Sequence, residues 1–478
     1  MLEAARALKK MNWEIITTTE TSYLLGQHGI ESTDIYKFLN VKEKFPFPPT
    51  LHPKMELALT TSKWKNIDLV FDTTYPVKQG IDVGGHTLIA LACKGNRLVA
   101  SNKNDMELII NALKKKKADK KFRKEMIRKA YLKIAGFYTE LLGGKNTATV
   151  DVIHLMNGEN PYQVPSYLFV SDKKDGLSPG NFKQLSGEAP CFTNMADFDC
   201  VIKVMVSAVL AYKKMKRKAP YIAVAAKHGN PCGMAVSKKS PAEAVRGALW
   251  GSPLAVWGGE LITNFNINAG LAKIIKESGR RKKEFGNKNW MLDLVAAPGF
   301  EKKAVKILGV NPRRKVFASP ALKNPSNEKK SQVSRQVRGG FLTHPPHNYV
   351  LDVKPGGNVD SLVIAWAVSF FSFHGGNEVA IAKSGKLLSA GGGPSTVAAA
   401  KTAVSRAKEC GHNLKNSVFG ADAFFPFTDA PAILAKAGCA AGIVPGGGKN
   451  FGIVKKYFES NKVKVYFLNE KIRGFYRH

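Results

Sequence analysis

A segment of seven residues carries the densest combination of reactive side chains in the sequence. Lys227 and His228 are followed by Gly-Asn-Pro-Cys-Gly, directly after the apolar run Tyr221–Ala226. A histidine beside a lysine can accept a proton, because the neighbouring positive charge and burial both favour the neutral imidazole. The lysine can stabilise negative charge that develops during a reaction. We therefore expect a proton-transfer site at the carboxyl end of a buried strand, where α/β folds bind ligands.

A zinc-dependent deaminase is one alternative for this segment. Such enzymes carry H-x-E followed by P-C-x-x-C. Here Asn230 stands where the glutamate is needed, and Cys232 has no second cysteine three residues later. The sequence therefore predicts a site without a metal. A turn that the glycines and the proline merely shape is the other alternative.

Two glycine clusters and one aromatic segment are further candidates for ligand binding. Gly391–Gly393 precedes a helix start and Gly446–Gly448 follows an apolar run, so backbone N–H groups at either could hold an anion. Plain turns are the alternative for both. The segment DAFFPFTD at Asp422–Asp429 places three phenylalanines between two acids. It suits either a buried turn or a pocket in which a flat heterocycle stacks.

The pattern of elements predicts an α/β fold that positions these motifs. In the first ~105 residues helical segments alternate with strand-like runs such as Ile67–Phe71, which is typical of a parallel sheet. Two lysine-rich connecting helices are expected over Glu107–Leu142. From Thr147 onward, two passages run from a strand through a glycine-rich loop into a helix, which indicates two duplicated α/β halves. The first of these helices should begin at Ser240, as N-cap of Ser-Pro-Ala-Glu.

Composition places the chain among globular proteins. Of its 478 residues, 44% are hydrophobic and 23% are charged, ordinary values that exclude a disordered or fibrous chain. The net charge of +35 favours anionic ligands such as phosphorylated small molecules or nucleic acid. No nucleic-acid-binding motif accompanies this charge, so we expect no specific nucleic-acid partner.

Cysteine usage and hydropathy predict the compartment. The six cysteines are scattered without a C-x-x-C pair, which favours free thiols in a reducing environment. The longest apolar run, Leu362–Phe373, is too short to span a bilayer. We expect a cytoplasmic protein with no membrane partner.

Several motifs, in order along the chain, resemble those of the bifunctional AICAR formyltransferase/IMP cyclohydrolase family of purine biosynthesis. In the region from Thr147 to the last residue they are GENPYQ at 158–163, KHGNPCG at 227–233, AAPGF at 296–300, DAFFPFTD at 422–429 and Arg477-His478. The N-terminal region is similar to the family's cyclohydrolase domain through TLHPK at 50–54, Tyr75-Pro76 and IDVGG at 81–85.

The resemblance implies a fold, a reaction and a set of site residues. The fold is a methylglyoxal-synthase-like domain (1–105), a helical linker (106–146) and a transferase (147–478) of two cytidine-deaminase-like halves without zinc. The reaction moves a formyl group from 10-formyltetrahydrofolate to the 5-amino group of AICAR, in a homodimer with sites at the subunit interface. His228 corresponds to the proton acceptor and Lys227 to the stabiliser of the transition state. Substrate contacts are expected at Gly258, Asp293, Asn377 and Phe424, and folate contacts at Val397, Asp429, Gly448 and Lys449.

The chain departs from the family pattern at positions that hold phosphate. Family cations fall on Met156, Thr396, Gly375 and Gly474, although Arg473 is adjacent to the last of these. In the first domain, Glu20 lies in the segment that phosphate should approach, so we expect this domain not to close the purine ring. A formyltransferase for another aminoimidazole, and an inactive basic paralogue that binds an anionic partner, are the alternative functions.

Overall fold

The computed structural model describes residues 1–41, 48–61, 64–141, 151–170, 172–253, 255–277, 292–326, 333–353 and 357–475. The terminal Arg477-His478 motif lies outside these ranges. The chain divides into two compact units, Met1–Asp151 with Phe169–Asp172, and Val152–Leu168 with Lys173–His478. The domain boundaries given by the resemblance stay a prediction.

The first unit alternates helices and short parallel strand pairs. β1 pairs with β2 and β3 pairs with β4, both in parallel, as the alternating pattern predicts. The described elements are α1 (Leu2–Lys10), β1 (Ile16–Thr17), α2 (Thr19–Gln27), β2 (Thr33–Asp34), α3 (Ile35–Leu39), α4 (Pro53–Thr60), β3 (Leu69–Phe71), α5 (Val83–Lys94), β4 (Leu98–Ala100), α6 (Lys103–Lys114) and α7 (Lys120–Leu141).

The two lysine-rich helices, α6 and α7, form as expected and pack into the core of the first unit. Met106 and Ile109 of α6 are buried, and so are Met126 and Ala130 of α7. Apolar residues of both helices contact β4, and α7 also packs against α5, while Lys114–Lys117 are exposed.

The second unit contains the remaining described elements. Its helices are α8 (Phe192–Lys214), α9 (Pro241–Ala248), α10 (Ala269–Glu277), α11 (Lys302–Leu308), α12 (Val359–Phe371), α13 (Thr396–Glu409), α14 (Asp429–Lys436) and α15 (Phe451–Ser460). The strands from residue 151 onward are β5 (Asp151–Leu155), β6 (Ser166–Val170), β7 (Lys183–Ser186), β8 (Tyr221–Lys227), β9 (Asn230–Ser237), β10 (Glu260–Thr263), β11 (Leu294–Ala297), β12 (Lys315–Ala318), β13 (Val333–Val337), β14 (Gly340–His344), β15 (Asn377–Lys383), β16 (Lys386–Gly393), β17 (Ser417–Ala421), β18 (Cys439–Pro445) and β19 (Lys464–Leu468).

A mixed sheet of eleven described strands forms the centre of this unit. Its order is β19-β18-β17-β15-β16-β9-β8-β10-β11-β12-β7. The long apolar helices α8 and α12 pack together on one face. Helices α9, α10 and α11 cover the other face beside β8–β12, and α13, α14 and α15 cover it beside β15–β19. Central strands are therefore buried on both faces, which explains their continuous apolar sequences.

Ten of the eleven described strands form two halves with the same order of elements, and β7 lies outside this repeat. Each half begins with a long buried helix, continues with an antiparallel hairpin, and then alternates helix and strand. The halves meet where β9 pairs antiparallel with β16, with Lys386 opposite Ala235. The two halves thus repeat one element order, while their assignment as cytidine-deaminase-like units stays a prediction.

The strand–loop–helix passages differ from the prediction in one respect. In each passage the segment predicted as a glycine-rich loop contains a second strand, β9 or β16, before the helix. The helix start is as expected, since Ser240 precedes α9 and its Oγ accepts a hydrogen bond from the Glu243 N–H at 3.3 Å.

The polar connection between the halves projects a two-stranded hairpin. β13 and β14 pair antiparallel with one another, from Val333 opposite His344 to Val337 opposite Gly340. Phe341 is 70% exposed and Leu342 is 59% exposed. The apolar run Leu362–Phe373 falls mainly in α12, a buried core helix. Among the described residues, no helix combines the length and apolar character needed to cross a bilayer.

Candidate active site

The candidate residues converge on one edge of the central sheet. Strands β8, β16, β17 and β18 end at this edge, whereas β9, β10, β11 and β15 begin there, because of the antiparallel pairings β8–β9, β8–β10, β9–β16, β15–β16 and β15–β17. Nine of the ten residues that the resemblance assigns lie at or within four residues of these strand ends, and Asp429 lies eight residues after β17; the nine are Lys227, His228, Gly258, Asp293, Asn377, Val397, Phe424, Gly448 and Lys449. The edge therefore collects residues separated by more than 200 positions in sequence. Their individual roles stay predictions.

Lys227 and His228 are placed by a tight β-hairpin turn. Lys227 pairs with Asn230 across β8 and β9, and the two residues between them have φ of 53° at His228 and 69° at Gly229. Two left-handed residues in a two-residue hairpin loop match the twist of the flanking strands. Histidine rarely adopts this conformation. The turn therefore holds His228, an exposed residue, at the tip of the hairpin.

The Lys227 ammonium group lies beside two other segments of the same edge. Its Nζ is 5.3 Å from the centroid of the Trp257 ring. A Cβ added to Gly258 would lie 3.9 Å from the same Nζ, and Gly258 has a left-handed φ of 72°. Gly258 thus leaves open space beside the lysine. The structure brings Lys227 and Gly258 together, and their roles stay predictions.

Asp293 belongs to the same group. Its backbone N–H donates to the Gly259 carbonyl at 2.9 Å, which holds it next to Gly258. Burial raises the pKa of the Asp293 carboxyl, and the positive charges of Lys315 and Lys227 oppose that rise. Lys227 is therefore close enough to Asp293 to interact with its charge.

A buried carboxyl group that the sequence analysis missed lies next to this group. Glu260 is 2% exposed, and its Oε2 has no hydrogen-bond partner among the described residues. Burial, together with the neighbouring Asp197 and Asp293, raises its pKa well above the usual range. Its only sequence signal is a charged residue at the start of an apolar strand.

The surroundings of Cys232 in the KHGNPCG motif disfavour the thiolate form. Burial raises the pKa of Cys232 to about 12, and Glu260 adds to the effect. Its Sγ donates to the Ala225 carbonyl at 3.6 Å. In the described ranges, no group of three His, Cys, Asp or Glu residues is arranged to hold a metal ion.

A second group forms around Phe424, at the carboxyl ends of β17 and β18. A Cβ on Gly448 would lie 2.7 Å from the Phe424 ring, so the glycine lets the loop after β18 approach the ring. The guanidinium of Arg473 lies 4.9 Å from the Phe424 centroid, within cation–π range. The structure thus places a cation beside this predicted substrate residue.

Gly474 explains why the cation is at position 473. A Cβ on Gly474 would lie 2.6 Å from Cα of Phe370, so this position has no room for a side chain. The Gly474 N–H donates to the Asp422 carbonyl at 2.7 Å. Among the described residues of this segment, Arg473 is the arginine that lies beside Phe424.

The three phenylalanines of the DAFFPFTD segment have different environments. Phe425 is buried, with its ring centroid 6.2 Å from that of Phe419, while Phe424 is half-buried and Phe427 is 61% exposed. The two interpretations of the segment, a buried turn and a stacking surface, thus apply to different rings.

The other predicted residues lie farther along the same edge. Asn377 starts β15 and pairs with Gly393, and Lys449 is exposed in the loop before α15. Asp429 starts α14, and Val397, in the first turn of α13, packs partly against the apolar core.

The glycine cluster Gly391–Gly393 does not form the predicted anion-binding loop. All three residues belong to β16 and pair with β15. A Cβ on Gly391 would lie 2.4 Å from the Ala403 nitrogen, and one on Gly393 would lie 2.7 Å from the Ala398 Cβ. These glycines let α13 pack closely on the strand. Gly447 and Gly448, with φ of 117° and 84°, do form a loop.

The two groups are connected by hydrogen bonds at the centre of the edge. The Phe373 N–H donates to Asn230 Oδ1 at 2.9 Å, which ties the Lys227 hairpin to the loop before β15. The Glu378 N–H donates to Asp422 Oδ1 at 2.9 Å, which ties the start of β15 to the segment that holds Phe424. Burial raises the pKa of Asp422 to about 7.

Comparisons with known proteins find relatives over most of the chain. A family model described as the AICARFT/IMPCHase bienzyme matches residues 94–406. A protein of Fusobacterium nucleatum named bifunctional purine biosynthesis protein PurH is 27% identical, with 99% of this chain and 97% of its own length covered. A protein of the same name from Natranaerobius thermophilus is 29% identical, with 94% and 91% covered. The chain therefore belongs to the AICAR formyltransferase/IMP cyclohydrolase family.

Proposed function

We propose that the chain transfers a formyl group from 10-formyltetrahydrofolate to the 5-amino group of AICAR in purine biosynthesis. One observation carries this proposal most strongly. The hairpin turn holds Lys227 and His228 at a sheet edge that also holds Gly258 and Asp293, in a chain that belongs to the formyltransferase family. An inactive basic paralogue would have no need to keep this arrangement.

Lys227 and His228 perform the chemistry in this proposal. His228 accepts the proton that the amine loses while its nitrogen bonds to the formyl carbon. Lys227 stabilises the negative charge that develops on the formyl oxygen. Trp257, 5.3 Å from Nζ, covers one side of the ammonium group, and partial removal of water strengthens its interaction with a developing charge.

The residues along the edge suit the two substrates. Phe424 offers a ring face on which an aminoimidazole stacks, with Asn377 and Asp293 for its polar groups. Arg473 and Lys449 provide positive charge for a phosphate or for the carboxylates of folate. Val397, Asp429 and Gly448 are the other folate contacts that we propose.

We propose that the first unit does not close the purine ring. Glu20 is exposed in the first turn of α2, directly after the short strand β1. A helix N-terminus attracts anions through its free N–H groups. A carboxylate at that position competes with a phosphate and repels it.

We propose that the chain acts as a homodimer through the β13–β14 hairpin. An isolated two-stranded hairpin is marginal in water, and this one exposes Phe341 and Leu342. A second copy would cover these apolar side chains. The expected sedimentation mass is that of two chains, whereas Phe341→Ser should shift the population toward one chain.

The cysteines support a cytoplasmic protein. All six cysteines are free thiols, which persist where glutathione and thioredoxin keep the environment reducing.

The test of the proposed function is formyl transfer by the purified chain and by a His228→Ala variant. We expect turnover with AICAR and 10-formyltetrahydrofolate in the unmodified chain. The variant should lose at least ~10²-fold in kcat, the usual contribution of a positioned proton-transfer group. His28→Ala, in the first unit, is the control and should keep the full rate. Equal rates for His228→Ala and the unmodified chain would contradict the assigned role.

A further inference from the structure

The loop between α12 and β15 holds a second histidine with the geometry of a proton-transfer group. His374 is bonded to Glu378 twice, through its backbone N–H to Oε1 and through ring Nδ1 to Oε2, the latter at 2.7 Å. The two side chains are 8% and 3% exposed. A carboxylate bonded to Nδ1 fixes that nitrogen as the donor and leaves Nε2 as the free ring position. This is the arrangement of an imidazole held by an orienting carboxylate.

Glu378 is itself held firmly by its surroundings. Its backbone N–H donates to Asp422 Oδ1 at 2.9 Å, and the Ser372 hydroxyl donates to Oε2 at 3.4 Å. Among the described residues, His374 makes its hydrogen bonds through N and Nδ1, so Nε2 is available to a ligand. His228 differs, because no described residue hydrogen-bonds its imidazole.

His374 lies between the Lys227 hairpin and the proposed folate contacts. The residue before it, Phe373, donates its N–H to Asn230, the partner of Lys227 across the hairpin. On the other side, a Cβ on Gly392 would lie 2.7 Å from the His374 Cβ. His374 therefore packs against Gly392 near the end of β16. Gly392 lies five residues before Val397, one of the proposed folate contacts.

We propose that His374 is a second catalytic residue of the formyl transfer and that Glu378 is its positioning residue, an inference that rests on the proposed function. His228 takes the proton that the amine loses as the new C–N bond forms. His374, as the imidazolium with protons on both ring nitrogens, gives the Nε2 proton to the folate nitrogen as the bond from that nitrogen to the formyl carbon breaks, its electron pair staying on nitrogen. Proton exchange through solvent restores both imidazoles, so one proton passes from the amine to the folate nitrogen overall.

The experiment compares His374→Gln and Glu378→Gln with a matched control, His412→Gln. The His412 ring is also hydrogen-bonded, with Nε2 2.6 Å from the Gly251 carbonyl, but it lies beyond the opposite end of α13. Steady-state formyl transfer is measured with 10-formyltetrahydrofolate and with a donor whose aminobenzoyl ring carries an electron-withdrawing group. This second donor has a better leaving nitrogen and needs a proton donor less.

We expect His374→Gln to lower kcat by about 10²-fold and Glu378→Gln by about 10-fold, with KM changed less than threefold. With the activated donor, the loss of kcat in both variants should be at least about tenfold smaller than with 10-formyltetrahydrofolate. The loss of kcat in His228→Ala should be the same with both donors. His412→Gln should match the unmodified chain. A purely structural role would lower the unfolding temperature and give the same loss with both donors.

The inference is overturned by an unchanged kcat in His374→Gln, or by a loss that is equal for the two donors. Where His374→Gln does not fold, Glu378→Gln decides by the same comparison. Absence of formyl transfer in the unmodified chain would refute the proposed function itself, and this inference with it. An active unmodified chain with a fully active His374→Gln variant would refute the inference alone.

Discussion

The buried Asp422 carboxyl should make the stability of the second unit depend on pH. Asp422 is 1% exposed, and burial raises its pKa from 3.8 to about 7. The folded state then binds more protons than the unfolded state between about pH 4 and pH 7. The stabilisation is complete at low pH and is lost as pH rises through the folded-state pKa. Asp422→Asn should remove this dependence, because the amide oxygen can still accept from the Glu378 N–H.

The magnitude follows from the two pKa values. A shift of about 3 units corresponds to ~4 kcal/mol for complete titration, of which about 2 kcal/mol falls between pH 5.5 and pH 8. We expect the free energy of unfolding of the unmodified chain to fall by about 2 kcal/mol more than that of Asp422→Asn over this interval.

Urea denaturation followed by tryptophan fluorescence, at pH 5.5 and at pH 8, measures the difference. Asp352→Asn is the control for loss of a carboxylate, since the Asp352 side chain is 56% exposed and hydrated. A pH dependence that is the same in Asp422→Asn and the unmodified chain would refute the reasoning. A loss of stability between pH 5.5 and pH 8 that is larger in Asp422→Asn than in the unmodified chain would also refute it.

Two further predictions concern a glycine loop and the first unit. Gly448→Ala should destabilise the second unit by ~1–3 kcal/mol, because the new Cβ would lie 2.7 Å from the Phe424 ring at a φ of +84°. Gly452→Ala, which meets nothing within 4 Å inside α15, should be neutral or stabilising when the two variants are compared by thermal denaturation. Formyl-AICAR incubated with the full chain should not be converted to IMP above the uncatalysed rate, because Glu20 opposes phosphate at α2. Efficient conversion followed by ultraviolet absorbance would contradict this.

Local sequence was sufficient for many elements of the fold. The apolar run Tyr221–Ala226 predicts a strand buried on both faces. In the structure, Ile222–Ala226 of this strand are buried. Ser240 predicts a helix start, and its side chain caps α9. These features depend on residues a few positions apart, whose propensities and hydrogen bonds act within one element.

The hairpins could not be predicted from the same patterns. The residues of KHGNPCG and SAGGGPS are typical of loops, yet β9 and β16 pair with strands on both sides. Glycine weakens an isolated strand, but here the close packing of α13 on Gly391 and Gly393 requires it. Tertiary contact therefore overrides local propensity at these positions.

The tertiary structure determines which of the candidate residues come into contact at the edge of the sheet. The sequence supplies Lys227 and His228 as neighbours, and the family resemblance supplies the other candidates. Only the antiparallel meeting of β9 with β16 brings the Lys227 hairpin to the loop that holds His374. Arg473 reaches Phe424 because Gly474 has no space for a side chain beside Phe370. Such contacts depend on strand order and on the volume of distant neighbours, and neither is encoded in the spacing of residues along the chain.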